Sequence, residues 1–366
     1  MNKENIFIAS QILVNNTWLT DSAIIVNNEF IENIIPQKIL TAEQKEKANS
    51  AHYIVPAFID VQIYGAYKQL FVANPSEKSL EKIVEYSKKG GAHFCIPTIP
   101  TIDVDTIYKS IDVVKNFMKK NPTSGVLGLH IEGPWINELK KGAHVKELIN
   151  KPKLFDVINL LEYGKDVIKI ITLAPEVCKP IILEKIKQNN IIISAGHSNA
   201  TFAEATIAFN NSVSMTTHLF NAMSQINSRE PGLVGATLQH STVMASIIPD
   251  GFHVNYENIK LAKQLMKERL FVITDAVTNC KEGYYQHQLD GNKYIANGTL
   301  SGSALTMIQA VKNLVGYCNI SFEESINMAS LYPAKLLGMD NKMGKIEKGY
   351  LAHFNLLDKE MNIIEK

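Results

Sequence analysis

The chain has 366 residues, enough for one α/β barrel of about 250 residues with roughly a hundred left for a smaller unit. Its 37 basic and 36 acidic residues nearly cancel to a net charge of +1, so there is no basic footprint for nucleic acid. No stretch approaches the ~18 apolar residues of a membrane span, and MNKENIFIASQILVNN lacks the apolar core and cleavage site of a secretory leader. The expectation is a cytoplasmic protein that meets neither membrane nor nucleic acid.

From Ile6 to Ile35, short β-rich pieces alternate with Asn-Asn and Thr-Asp turn signals, which predicts a small antiparallel sheet. TAEQKEKANS reads as a helix or loop. From Ile54 onward strand-like runs alternate with helical segments, the signature of a parallel sheet, and eight such runs can be counted. They are IVPAFIDVQ, AHFCIPTIP, GVLGLHIE, VIKIITLAP, IIISAGH, VSMTTHL, VMASIIPDG and LFVITDA. A polar loop after Asp275 leads into helical segments over 304–316 and 322–337. The tail GKIEKGYLAHFNLLDKEMNII returns to short strands. The fold expected is therefore a (β/α)8 barrel over residues 54–340. A small discontinuous β domain would be built from 1–53 and 341–366.

Four of the runs end in a side chain that can bind a metal or move a proton: Glu132, His197, His218 and Asp275. Catalytic groups of β/α barrels sit at such strand ends. Taken singly, each has a plainer reading. Glu132 before Gly133-Pro134 is a rim carboxylate, and His197 before Ser198-Asn199 is a histidine at a helix start. His218 is a buried hydrogen-bonded histidine, and Asp275 caps a turn. Together they make a set, because carboxylates and imidazoles are seldom placed beside apolar strands without partners. Glu132, His197 and His218 supply three donors, the number an open catalytic site uses, and a divalent ion held there lowers the pKa of its water. Asp275 suits the role of general base and acid. Arg229 and His253, on loops after the sixth and seventh runs, suit an anionic group such as a phosphate, near the backbone at Asn221-Ala222. His144 is a candidate carbonyl polariser. His52, His93, His240, His287 and His353 fall outside strand ends and receive no role. Cys95, Cys178, Cys280 and Cys318 form no CxxC pair, which argues against a thiolate metal site and a disulfide framework.

The segments PAFIDVQ, LGLHIEGPWINELKKGAH, GHSNAT, THLFNAM, REPGLVGA, DGFHV, TDA, NGTLSGSALTMIQAV and LYPAKLLG run in an order that resembles the N-acetylglucosamine-6-phosphate deacetylases of the amidohydrolase superfamily. The resemblance implies a TIM barrel with a small discontinuous β-sandwich domain. It implies that Glu132, His197 and His218 hold one divalent metal per subunit, zinc first and Fe2+ or another divalent ion as alternatives. Asp275 would be the catalytic acid/base, and His144 would help polarise the acetamide carbonyl. Asn221 and Ala222 would lie near the sugar phosphate, with Arg229 and His253 binding it. The arginine would reach across a dimer interface, so a homodimer is expected. The reaction implied is hydrolysis of N-acetylglucosamine 6-phosphate to glucosamine 6-phosphate and acetate. Preference for the galactosamine epimer is the near rival, and a catalytically silent sugar-phosphate sensor the distant one. One departure stands out. Many amidohydrolases carry His-x-His on the first strand, and this chain has Gln62-Ile63-Tyr64, which favours a single metal. Tyr64-Gly65 also replaces the Asn-Gly common in the single-metal deacetylases.

Overall fold

Eight of the apolar runs become eight parallel strands in sequential order, in a computed structural model that describes residues 4–364. They span Phe58–Ile63, Ala92–Ile99, Leu129–Glu132, Ile168–Leu173, Ile192–Ala195, Met215–Thr216, Met244–Ile247 and Leu270–Val272. The Asp275 N–H donates to the Gln62 carbonyl at 3.0 Å and the Tyr64 N–H to the Ala276 carbonyl at 2.9 Å, which closes the eighth strand onto the first. The result is a (β/α)8 barrel.

Why the strands sit inside follows from their composition. Every residue of Phe58–Ile63 is buried, including Asp60 and Gln62. A buried carboxylate needs partners. Asp60 finds them in the Thr274 hydroxyl and in the backbone N–H groups of Thr274 and Gln62, so it ties the barrel seam. Outside, the helix Val104–Lys120 starts where the Asp103 carboxylate accepts from Thr106 N–H at 2.9 Å. It buries Ile107, Ile111, Val114 and Phe117, one stripe at helical spacing. Each such side chain contributes about 1.5–3 kcal/mol of burial, which outweighs the solvated lysines opposite.

The small domain is a five-stranded sheet ordered Phe354–Leu357, Asn49–Pro56, Glu4–Val14, Thr17–Asn27, Phe30–Pro36. Ile12, Ile24, Ile31, Ile54, Ile346 and Phe354 pack together on it, and Ala23, Ile25 and Leu40 form a second cluster. It is the β-sandwich domain of this architecture, and segments before and after the barrel contribute to it. Three details differ from the sequence reading. The run IVPAFIDVQ divides: Ile54–Pro56 belongs to the small sheet, paired with Leu356, Asn355 and Phe354, and the barrel strand begins at Phe58. The sheet is not wholly antiparallel, because Glu4–Val14 and Asn49–Pro56 run parallel. The polar loop after Asp275 contains a three-stranded sheet of Gln288–Asp290, Lys293–Ala296 and Thr299–Ser303. Its signals are Asp290-Gly291 and Asn297-Gly298, turn dipeptides of hairpins. Asn297 and Gly298 both take the positive φ that such a turn requires, 50° and 76°.

Candidate active site

Glu132, His197, His218 and Asp275 converge at one end of the barrel. They line a cavity of about 350 Å³ together with His144, Asn221, Ala222 and His253. That volume is in the range of small-molecule sites. His197, His218 and Asp275 all have positive φ, 47°, 34° and 54°. Non-glycine residues held there cost of order 1–3 kcal/mol each, and such strain gathers at functional sites. Backbone bonds hold the turns: His197 C=O accepts from Asn137 N–H at 2.8 Å, and His218 N–H donates to Ser246 Oγ at 2.8 Å.

Three donor atoms form a near-equilateral triangle. His218 Nε2 lies 3.1 Å from His197 Nε2 and 3.2 Å from Glu132 Oε1, and His197 Nε2 lies 3.4 Å from the same oxygen. Ligands about 2.0–2.1 Å from one tetrahedral ion are separated by about 3.3–3.4 Å, so this spacing suits a single small cation. Protonation supports the fit. His197 Nδ1 sits 2.9 Å from the Lys140 carbonyl and donates to it, which leaves Nε2 as the ring atom turned to Glu132 and His218. Burial lowers the His218 pKa, so its ring is neutral as a ligand must be. Burial alone would raise the Glu132 carboxyl, but the three histidines around it, His197 first, outweigh burial and hold it well below the usual range.

Glu132, His144 and His197 also bring ligand atoms within 4.8 Å of one another. His144 is nevertheless a donor. Its Nδ1 accepts from Thr101 N–H at 3.2 Å, and burial, then His197, pulls its pKa down to about 4. The neutral ring therefore carries its hydrogen on Nε2, aimed at Glu132 Oε2 3.2 Å away. This is a hydrogen-bond donor at the cavity wall, as a carbonyl polariser must be. Gly133 is needed for it: its φ is +86°, and a Cβ there would lie 2.2 Å from Thr101 Oγ1, the hydroxyl beside His144.

Asp275 is held by Gln62, whose Nε2 donates to Asp275 Oδ1 at 2.9 Å. Burial, then the negative charge of Glu132, raises its pKa well above the carboxylate range. A group pushed that way takes up a proton readily, as the acceptor of a proton from water must. His253 is oriented by Asp250, which accepts from its Nδ1 at 2.6 Å and from its backbone N–H at 2.8 Å. This leaves His253 Nε2 facing Asp275, 3.9 Å from Oδ2. Arg229 is brought to none of these groups: it is exposed and does not line its own chain's cavity.

Sequence reasoning missed several cavity residues. His287, read as a bystander, lines the wall 2.8 Å from Ser301 Oγ, and burial pulls its pKa down to about 4. Tyr285, Leu300 and Ser301 stand beside it on or next to the three-stranded sheet. Unrecognised hairpin turns hid this wall. Lys140 also lines the cavity, and nothing in its sequence context marks it.

The amidohydrolase family profile matches residues 53–366. N-acetylglucosamine-6-phosphate deacetylase of Haemophilus influenzae is 35% identical over 359 residues, covering 94% of this chain and 93% of the relative. N-acetylgalactosamine-6-phosphate deacetylase of Escherichia coli O157:H7 is 29% identical, covering 97% and 95%. The crystal structure of N-acetylglucosamine-6-phosphate deacetylase from Pasteurella multocida superposes with a TM-score of 0.92 at 32% identity, covering 99% and 97%. With its buried Glu/His/His cluster, of the kind that holds a divalent metal in these hydrolases, the chain belongs to the amidohydrolase family, in the branch of the N-acetylglucosamine-6-phosphate deacetylases.

Proposed function

We propose that the chain hydrolyses N-acetylglucosamine 6-phosphate to glucosamine 6-phosphate and acetate with one divalent ion, zinc first, held by Glu132, His197 and His218. The observation that carries this reading is the triangle of donor atoms, 3.1, 3.2 and 3.4 Å on its sides, beside the Gln62-tethered Asp275. When bound, the ion supplies Lewis-acid polarisation and an activated water. The protein's own residues do the rest. His144 turns its Nε2 hydrogen from Glu132 Oε2 to the acetamide oxygen as negative charge grows there. Asp275 takes the proton of the attacking water on a carboxylate oxygen and delivers it to the departing amine nitrogen. The ordered ring of His253 and the backbone at Asn221-Ala222 hold the sugar phosphate. Arg229 serves the same phosphate from a second copy of the chain, because it faces solvent rather than its own cavity. The protein thus works as a homodimer, in the cytoplasm, in amino-sugar breakdown or recycling.

The test is acetate release from the phosphorylated and unphosphorylated sugars by purified protein, with the galactosamine epimer in parallel. That epimer is included because a relative of 29% identity carries its name. Release confined to the phosphorylated sugar, with kcat/KM favouring the gluco form, is expected; release from none of the three rejects the reading. Arg229→Ala should raise KM for the phosphorylated sugar by about 10- to 100-fold, the worth of a charge-assisted hydrogen bond.

A further inference from the structure

The residue that follows the first barrel strand is a tyrosine that none of these roles uses. Tyr64 is 6% exposed, and its backbone N–H is fixed to the Ala276 carbonyl across the barrel seam, so the ring enters the cavity from a pinned backbone. Its hydroxyl accepts from Gln62 Nε2 at 2.7 Å and donates its own hydrogen to Glu132 Oε2 at 2.5 Å. The two oxygens of Glu132 therefore have different company. Oε1 faces His197 and His218 Nε2, with Gln62 Nε2 3.1 Å away, while Oε2 receives both the Tyr64 hydroxyl and the His144 Nε2 hydrogen. An oxygen that already accepts two hydrogen bonds has little electron density left for a cation.

We propose that Tyr64 is a positioning residue for the metal centre: by holding Glu132 Oε2 it keeps this carboxylate a one-oxygen ligand, with Oε1 turned to the histidines. The proposal rests on Glu132, His197 and His218 being the ligand set. A phenylalanine removes only the hydroxyl. Gln62 Nε2 has two hydrogens and still finds Glu132 Oε1 at 3.1 Å and Asp275 Oδ1 at 2.9 Å, so Tyr64→Phe strands no buried donor. Partners that orient a metal ligand typically govern its affinity 10- to 100-fold.

The experiment measures zinc affinity by competition with a chromophoric chelator, and the visible spectrum of the Co2+-loaded protein, for wild type, Tyr64→Phe and Glu132→Gln. Folding of each is checked by circular dichroism. The expected result is about 10- to 100-fold weaker zinc binding in Tyr64→Phe. Its cobalt bands should also weaken, because the freed second oxygen joins the ion and raises its coordination number. Wild-type affinity and an unchanged cobalt spectrum in Tyr64→Phe, with Glu132→Gln losing zinc, overturn the role of Tyr64 alone. A wild type that takes up no zinc, or a Glu132→Gln protein that binds it undiminished, overturns the ligand set and this proposal with it.

Discussion

Asp275 and Gln62 show how one side chain sets the chemistry of another. Gln62 donates to Asp275 Oδ1, an atom that Asn retains, so Asp275→Asn keeps the bond and removes only the ability to carry a proton. Zinc content should stay at the wild-type level while kcat falls about 10²- to 10⁴-fold, the usual worth of general acid–base catalysis. Metal analysis beside steady-state kinetics checks this, and near-normal turnover would remove Asp275 from the mechanism. Residues at this scale differ in how legible they were. Glu132, His197, His218 and Asp275 could be found because each is a polar break at the end of an apolar run. The tautomer of His144 could not, since it is fixed by Thr101 N–H, 43 positions away. Asp250 lay three residues from His253 and still went unread, because acceptance by its carboxylate depends on the turn those residues form.

At the scale of elements, the barrel strands are joined below the site by a polar chain. His130 Nε2 meets Thr172 Oγ1 at 2.7 Å, Thr172 meets Thr217 at 2.7 Å, and Thr217 meets Ser194 at 2.5 Å. The seam is held by Asp60, and that leaves a pH signature. Burial raises its carboxyl from 3.8 to about 6, against the lowering by Thr274 and Gln62. The folded state thus binds this proton more tightly than the unfolded chain. Its stabilising contribution is complete below pH ~4 and is lost as pH rises through about 6, a loss on the order of 3 kcal/mol at ~1.4 kcal/mol per pKa unit. Asp60→Asn mimics the neutral acid. Urea unfolding across pH 4–7 should show the variant gaining on wild type by about that amount as pH rises. A difference that stays flat would mean Asp60 is not carrying the shift. Element type was readable where period and burial agree, as in Val104–Lys120. It was not readable in 288–303, where three short strands bury few residues and the turns alone carried the signal.

The whole molecule divides its work between a barrel that presents the groups and a small sheet built from segments before and after it. Strand order and barrel closure were legible from alternating runs, because parallel strands covered on both faces must be apolar along their length. The position of the seam between barrel and sheet was not, since Ile54–Pro56 and Phe58–Ile63 form one strand-like run in sequence with no turn signal between them. Arg229 could not be placed from sequence either, since its exposure and its absence from the cavity wall depend on how the loop carrying it folds. The central claim is that one divalent ion, seated among Glu132, His197 and His218, drives the deacetylation. Its most direct test is to strip the protein with a chelator and add zinc back in steps, following acetate release from N-acetylglucosamine 6-phosphate. Activity should be lost on stripping and return in proportion, levelling at one zinc per chain. Full activity in the stripped protein, or a plateau only at two zinc ions per chain, would contradict the account.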